Sequence, residues 1–173
     1  MAPLLSRLRG LIGDPAGAGQ AWSDDELQDV ADGCREEARY LPLAPEETRA
    51  AGGGAAYLSF SAPTGDWEEG PELYDATYQV LIPAISDCRA GRWRFETEPA
   101  RPVTLTGRTF DLARAAAEVL EAWAARVKRE YDFASSDQRF ERGQQARAMQ
   151  ELAALYRRRA RPRTAVQTRS DVG

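Results

Sequence analysis

The sequence predicts a mainly α-helical fold: a small helical bundle with a long antiparallel C-terminal helix pair, an inserted small antiparallel β-subdomain, and an extended C-terminal tail. Three observations carry this. Leu112, Ala116, Val119, Leu120, Trp123, Val127 and Tyr131 recur at the three-to-four spacing of one helix face. From Ala55 to Thr109 that texture gives way to short apolar bursts separated by Gly and Pro, as strands require. Beyond Arg163 apolar residues are too few to build a core, so the tail is expected to order only against a partner.

The elements follow in chain order. Leu4, Leu5, Leu8, Leu11 and Ile12 share a helix face, and Gly13-Asp14-Pro15 stops that helix. Ser23 and Glu26 form the two halves of a capping box, so a second helix begins near Asp24. It carries Leu27, Val30, Ala31, Cys34 and Ala38 on one face and is expected to end before Pro42. Ala44 to Gly54 shows no periodicity and reads as a loop. In the strand region Trp93 and Phe95 alternate with Arg92, Arg94 and Glu96, and Val103 and Leu105 with Thr104 and Thr106. Thr106-Gly107-Arg108 reads as a hairpin turn leading to Phe110. Asp111 suits the N-cap of the long helix, whose alanines allow close approach of a second helix. Ser135-Ser136-Asp137 breaks the pattern before a helix with Phe140, Met149, Leu152, Ala153 and Tyr156, which ends before Pro162. The expected division is one helical domain over 1–160, with its β-rich insertion at about 55–110, and a tail over 161–173.

Composition bounds the function. At 173 residues one domain is the default, and 43% hydrophobic with 29% charged residues is ordinary globular usage, so the chain should fold. A net charge of -4 argues against a general nucleic-acid coat. The charge is uneven, however, with Asp24, Asp25, Glu26, Asp29, Glu36 and Glu37 loading the first third and Arg157, Arg158, Arg159, Arg161, Arg163 and Arg169 the end, so head-to-tail contact between copies would join opposite signs. There is no histidine, which removes the commonest proton-transfer and metal-binding side chain and weakens enzymatic readings. Cys34 and Cys88 have no metal-site spacing, and no catalytic residue, cofactor or metal site is expected. No run approaches the roughly 20 apolar residues of a membrane span.

Several residues read two ways. Trp123 sits in a helical stripe and is taken as core. Trp67 lies among Asp66, Glu68 and Glu69, which suggests an exposed contact residue. The arginines at 157–163 could line a DNA channel, bind an acidic partner, or simply favour the negative end of a helix dipole. Asp24 and Asp25 are either a helix start alone or also a neighbour's contact.

The run Gly91-Arg92-Trp93-Arg94-Phe95, then Thr106 to Asp111, Ala115 to Trp123 and Tyr131-Asp132-Phe133, resembles the head-to-tail adaptor proteins of tailed bacteriophages. The likeness continues through Arg139-Phe140-Glu141-Arg142, Ala153 to Arg157, Ala160 to Arg163 and Arg169 to Val172, roughly the second half of the chain. It rests on the order and spacing of motifs that are individually common. The resemblance implies a structural virion protein of the neck, made in the bacterial cytoplasm. It would form a homo-oligomeric ring, dodecameric in this family, between the portal protein and the next neck protein, a stopper or tail terminator. Genomic DNA would pass through the channel without sequence-specific binding, and the protein would not be an enzyme. Portal or neighbour binding is then expected at Arg157, Arg158, Arg159, Arg161, Arg163, Arg169, Ser170, Asp171 and Val172, with Trp67, Asp24 and Asp25 as intersubunit contacts. The alternatives are another neck or tail-completion ring protein, or a small DNA-binding regulator using the arginine-rich last helix.

Overall fold

The computed structural model describes residues 1–49, 55–131 and 139–162. Its element order is α1 (Ala2–Ile12), α2 (Asp24–Gly33), β1 (Arg35–Pro42), β2 (Ala44–Arg49), β3 (Ala55–Ser61), β4 (Glu72–Tyr74), β5 (Val80–Leu81), β6 (Ile85–Asp87), β7 (Arg92–Arg94), β8 (Thr104–Phe110), α3 (Leu112–Tyr131) and α4 (Arg139–Arg159). Among the described residues, two four-stranded antiparallel sheets stand beside four helices, so the fold is an α and β mixture and the expectation of a mainly helical bundle is wrong.

The error begins at Gly33. The capping box forms as expected, the Glu26 amide donating to Ser23 Oγ at 3.2 Å and the Ser23 amide to Glu26 Oε2 at 2.8 Å. The helix then stops at Gly33, and residues 35–42 extend as β1 against β8, Arg35 opposite Phe110 and Pro42 opposite Thr104. Arg35 to Arg39 have adequate helix propensity, but propensity is worth only tenths of a kcal/mol per residue, and pairing an otherwise bare β8 edge outweighs it. Tyr40 takes the bulge in this pairing with φ 52°, and its amide donates to Thr106 Oγ1 at 3.1 Å. The expected loop after Ala44 opens instead as β2, paired with β3 from Ala44 opposite Ser61 to Arg49 opposite Ala55. Gly107 is no turn. It lies inside β8 opposite Ala38, where a Cβ would come 2.9 Å from the Pro71 Cβ.

The sheets run β1-β8-β4-β5 and β2-β3-β7-β6. The edge strands of one continue directly into the edge strands of the other: β1 passes into β2 at Leu43, whose amide donates to the Val103 carbonyl at 2.9 Å, and β5 passes into β6. The result is a nearly closed two-sheet sandwich. Phe60, Trp67, Leu73, Trp93, Phe95, Val103 and Leu105 fill it, drawn from both sheets. Trp67 and Trp93 meet edge to face at 6.2 Å, as do Phe60 and Phe95 at 5.7 Å. The alternation of Trp93 and Phe95 inward with Arg92 and Arg94 outward is as expected.

The helical layer has its own core. Leu4, Leu8 and Ile12 of α1 and Leu27 and Ala31 of α2 pack on Ala116, Val119 and Leu120 of α3, with Ala153 and Tyr156 of α4 completing the cluster. Ala115, Ala116, Ala117 and Ala124 are fully buried, so small side chains bring the helix axes close. Trp123 is partly buried against this core, as expected of a stripe residue. Arg9, 5% exposed, ties the N-terminal turn by reaching Asp14 Oδ2 at 3.1 Å, the Trp22 carbonyl at 2.8 Å and Asp24 Oδ1 at 2.7 Å. The expected break at 135–137 lies outside the described residues.

The layers join at one seam. The Asp111 amide donates to the Cys34 carbonyl at 3.0 Å, the Phe110 amide to the Asp66 carbonyl at 3.0 Å, and Thr109 Oγ1 to the Gly65 carbonyl at 2.7 Å. Gly65 is needed there, because a Cβ would sit 2.2 Å from the Arg89 carbonyl oxygen.

Candidate assembly surface

The arginines at the end of α4 divide into two kinds. Arg157 clasps α3 with a two-pronged contact, Nε to Glu121 Oε1 at 3.1 Å and Nη2 to Oε2 at 2.7 Å, and Glu118 lies 3.8 Å away. Arg157's hydrogen bonds hold the Glu121 carboxyl below its usual range. A lowered carboxylate stabilises the fold above the unfolded-state value and loses that contribution as pH falls through the folded-state one. Arg161 turns into the seam: its amide donates to Asp111 Oδ2 at 2.7 Å and its Nη2 to the carbonyls of Gly65 and Phe110 at 2.9 and 3.2 Å. Arg158 and Arg159, by contrast, are exposed and make no hydrogen bond or ion pair among the described residues. Only these two of the described arginines at this end are left for a partner. Arg163, Arg169, Ser170, Asp171 and Val172 lie outside the described residues.

The acidic contacts divide the same way. Asp24 is held within its own chain by Arg9, whereas Asp25 and, one turn on, Asp29 are exposed and form no ion pair among the described residues. Trp67 is not an exposed contact: its ring is 2% exposed and its Nε1 donates to the Thr64 carbonyl at 2.7 Å. Acidic neighbours suggested exposure, but Trp67 bridges to Thr109 at the sheet edge, which turns its ring inward and leaves Glu68 and Glu69 outside.

The two unpaired patches lie apart. Arg126 of α3 marks the α2 side, stacking over Trp22 at 4.4 Å and lying 3.6 Å from Glu26, whereas Glu118 and Glu121 mark the α4 side. At 1.5 Å per residue those positions are roughly 10 Å apart along α3 and on different faces.

A second surface was missed from sequence. Tyr40, Tyr78, Val80, Ile82 and Ile85 are all exposed, Ile82 at 88%, around the sandwich end remote from the helices. Tyr40 gathers Tyr74 and Tyr78 at 5.7 and 5.8 Å. Val80 and Ile82 fall in the 55–109 region of short apolar bursts expected to form strands, and Pro83 lies just beyond the two-residue β5. Exposed apolar side chains gathered on a folded domain make a candidate interaction site.

Neither cysteine is placed for chemistry. Burial, with Glu118 adding to it, pushes the Cys34 thiol up to about 11, and burial raises Cys88 as well. At pH 8.5 only about 0.3% of Cys34 is thiolate, so a thiol reagent is expected to modify Cys88 in the native protein and Cys34 only after denaturant is added. Equal rates for both under native conditions would contradict this burial. Because the folded-state value is raised, ionisation of Cys34 opposes folding, so stability is expected to fall as pH rises from the unfolded value toward about 11.

Among the described residues no group of three His, Cys, Asp or Glu side chains is placed to hold a metal, and no helix is long and apolar enough to cross a membrane. No protein-family model, curated protein or solved structure matches the chain significantly.

Proposed function

We propose that this protein is a structural subunit of a tailed-phage neck, an adaptor that forms a ring beneath the portal and passes the DNA channel to the next neck component. The observation that carries the reading is the separation of two unpaired patches of opposite charge, Asp25 and Asp29 on α2 and Arg158 and Arg159 on α4. A ring of identical subunits needs complementary patches on different sides of each protomer, because a heterologous contact repeats around the axis until it closes. The exposed apolar end of the sandwich supplies a further face for a portal or a lower neck protein. The ordered motifs from Gly91 to Val172 support the family assignment.

Electron microscopy of the purified protein with the portal protein of the same genome is the test, and a ring seated on the portal is expected. No complex at micromolar concentration would overturn the reading. Reversing Arg158 and Arg159 to glutamate is expected to cut ring formation at least tenfold, as should reversing Asp25 and Asp29 to arginine. Combining the reversals should restore it, since like charges then face opposite ones again. Rings formed equally well by each reversed variant would remove these patches from the interface.

A further inference from the structure

Tyr40 and Tyr78 both stand at positive φ, 52° and 59°, a backbone conformation that glycine adopts freely and bulky side chains rarely do. Strain of this kind gathers at functional sites. Neither ring fills the core in return, for Tyr40 is 53% and Tyr78 71% exposed. The two meet edge to face at 5.8 Å, and Tyr40 also leans on Tyr74 at 5.7 Å. Across β4 and β5, Leu73 lies opposite Leu81 and Tyr74 opposite Val80. Side chains alternate along a strand, so with Leu73 and Leu81 packed on the sandwich core, Tyr74 and Val80 stand side by side on the outer face.

Ile82 projects just past this row and is 88% exposed. Beside it lies a hollow of about 530 Å³ whose walls include Val80, Leu81, Pro83, Phe95 and Pro99. An apolar knob next to an apolar hollow is self-complementary, because a two-fold axis between two copies places each knob over the other's hollow. Charge suits the same occupant. Tyr40, Tyr74, Tyr78, Val80 and Ile82 are all uncharged, so two copies bring no like charges together at the centre. The nearest acids are engaged within their own chain, Glu72 by the Tyr74 hydroxyl and Asp75 by the Thr77 and Gln79 amides. Glu96 lines the hollow but is exposed, so its carboxylate can stay in water. The exposed parts of these apolar side chains come to roughly 500 Å². Two copies face to face then bury about 1,000 Å² in all, which reaches the lower bound for a specific interface and suits a pair that parts at micromolar concentrations.

We propose that the free chain pairs with a second copy of itself through this patch, about a two-fold axis that covers the tyrosine cluster and Val80 and seats each copy's Ile82 in the other's hollow. Such a contact is closed, so association stops at two. The inference does not rest on the ring reading, whose charged patches lie on α2 and α4. While the pair holds, this face is covered and takes no other partner.

Sedimentation equilibrium of the full chain across the micromolar range is the test. Twice the chain mass is expected at the upper concentrations. The pair should persist in 1 M sodium chloride, where a Debye length of about 3 Å screens charge contacts and leaves apolar ones intact. Ile82→Glu, at an exposed site where substitution costs the fold little, should weaken pairing at least tenfold. Tyr78→Gly, which keeps the positive φ without strain, should weaken it at least fivefold, and Ile82→Val should stay within threefold of the unmodified chain. Circular dichroism checks that each variant is folded. Reversing Arg158 and Arg159 to glutamate should leave the pair unchanged, so failure of the ring reading and failure of this one are read apart. A single-chain mass at every concentration would leave the face to a partner of another sequence and overturn the proposal. So would a dimer that Ile82→Glu leaves intact or that high salt dissolves, since its contact would then lie elsewhere.

Discussion

Replacing Trp93 with alanine is expected to cost about 3–5 kcal/mol of folding stability, the range for emptying a large aromatic site in a core that cannot collapse. Trp93 is 1% exposed, sits where β7 meets the partner sheet, and packs its ring against Trp67. Its neighbours come from both sheets, so one cavity would loosen the whole sandwich. Phenylalanine is the informative comparison. The Trp93 indole nitrogen is buried and has no hydrogen-bond partner among the described residues. An unmet buried donor costs about 1–3 kcal/mol, and Trp93→Phe removes that cost while keeping an aromatic ring. A net loss of about 1.5 kcal/mol or less is therefore expected, offsetting part of the volume lost. Urea unfolding at constant slope measures both. If phenylalanine costs as much as alanine, the argument from the unmet donor fails.

Asp111→Ala is expected to cost about 2–4 kcal/mol, since it removes a helix cap and strips a second backbone amide of its acceptor. One carboxylate oxygen takes the Arg114 amide at 3.0 Å, capping α3, and the other takes the Arg161 amide at 2.7 Å, fastening the end of α4. The side chain is 6% exposed, so water cannot easily replace either bond. For a chain of this length the loss corresponds to a fall in melting temperature of roughly 5–15 °C. Asp111→Asn keeps one carbonyl oxygen and should fall between wild type and alanine. Calorimetry on the three proteins settles the order, and an unchanged melting temperature for Asp111→Ala would mean that the seam does not hold the layers together. The same contact fixes the end of α4 against the seam.

Local signals in the chain were sufficient for much of this. The Leu4 to Ile12 stripe, the Ser23 and Glu26 box, Asp111 as a cap and the row from Leu112 to Val127 each lie within one or two helical turns, so their physics is complete in a short window. The alternation around Trp93 and Val103 is equally local. Residues 35–49 are different. Nothing between Arg35 and Arg49 announces a strand; these residues become β1 and β2 because Phe110 and Ser61, far along the chain, present edges that need hydrogen-bond partners.

The candidate contact residues divide on the same line. Sequence alone marked the arginine-rich end of α4 and the acids of α2 as regions of interest, through unbalanced charge. Which members are spent inside the fold was decided by the tertiary structure: Arg157 on Glu121, Arg161 on the seam, Asp24 on Arg9, and Trp67 in the sandwich core. Charge and helix patterning are written residue by residue, so the sequence by itself determined the helices and the polarity of the two ends. Pairing between segments tens of residues apart depends on which backbone groups and carboxylates meet once the chain has folded, and only the tertiary structure could decide that the second half of the expected second helix is strand and that Arg158, Arg159, Asp25 and Asp29 have no side-chain partner among the described residues.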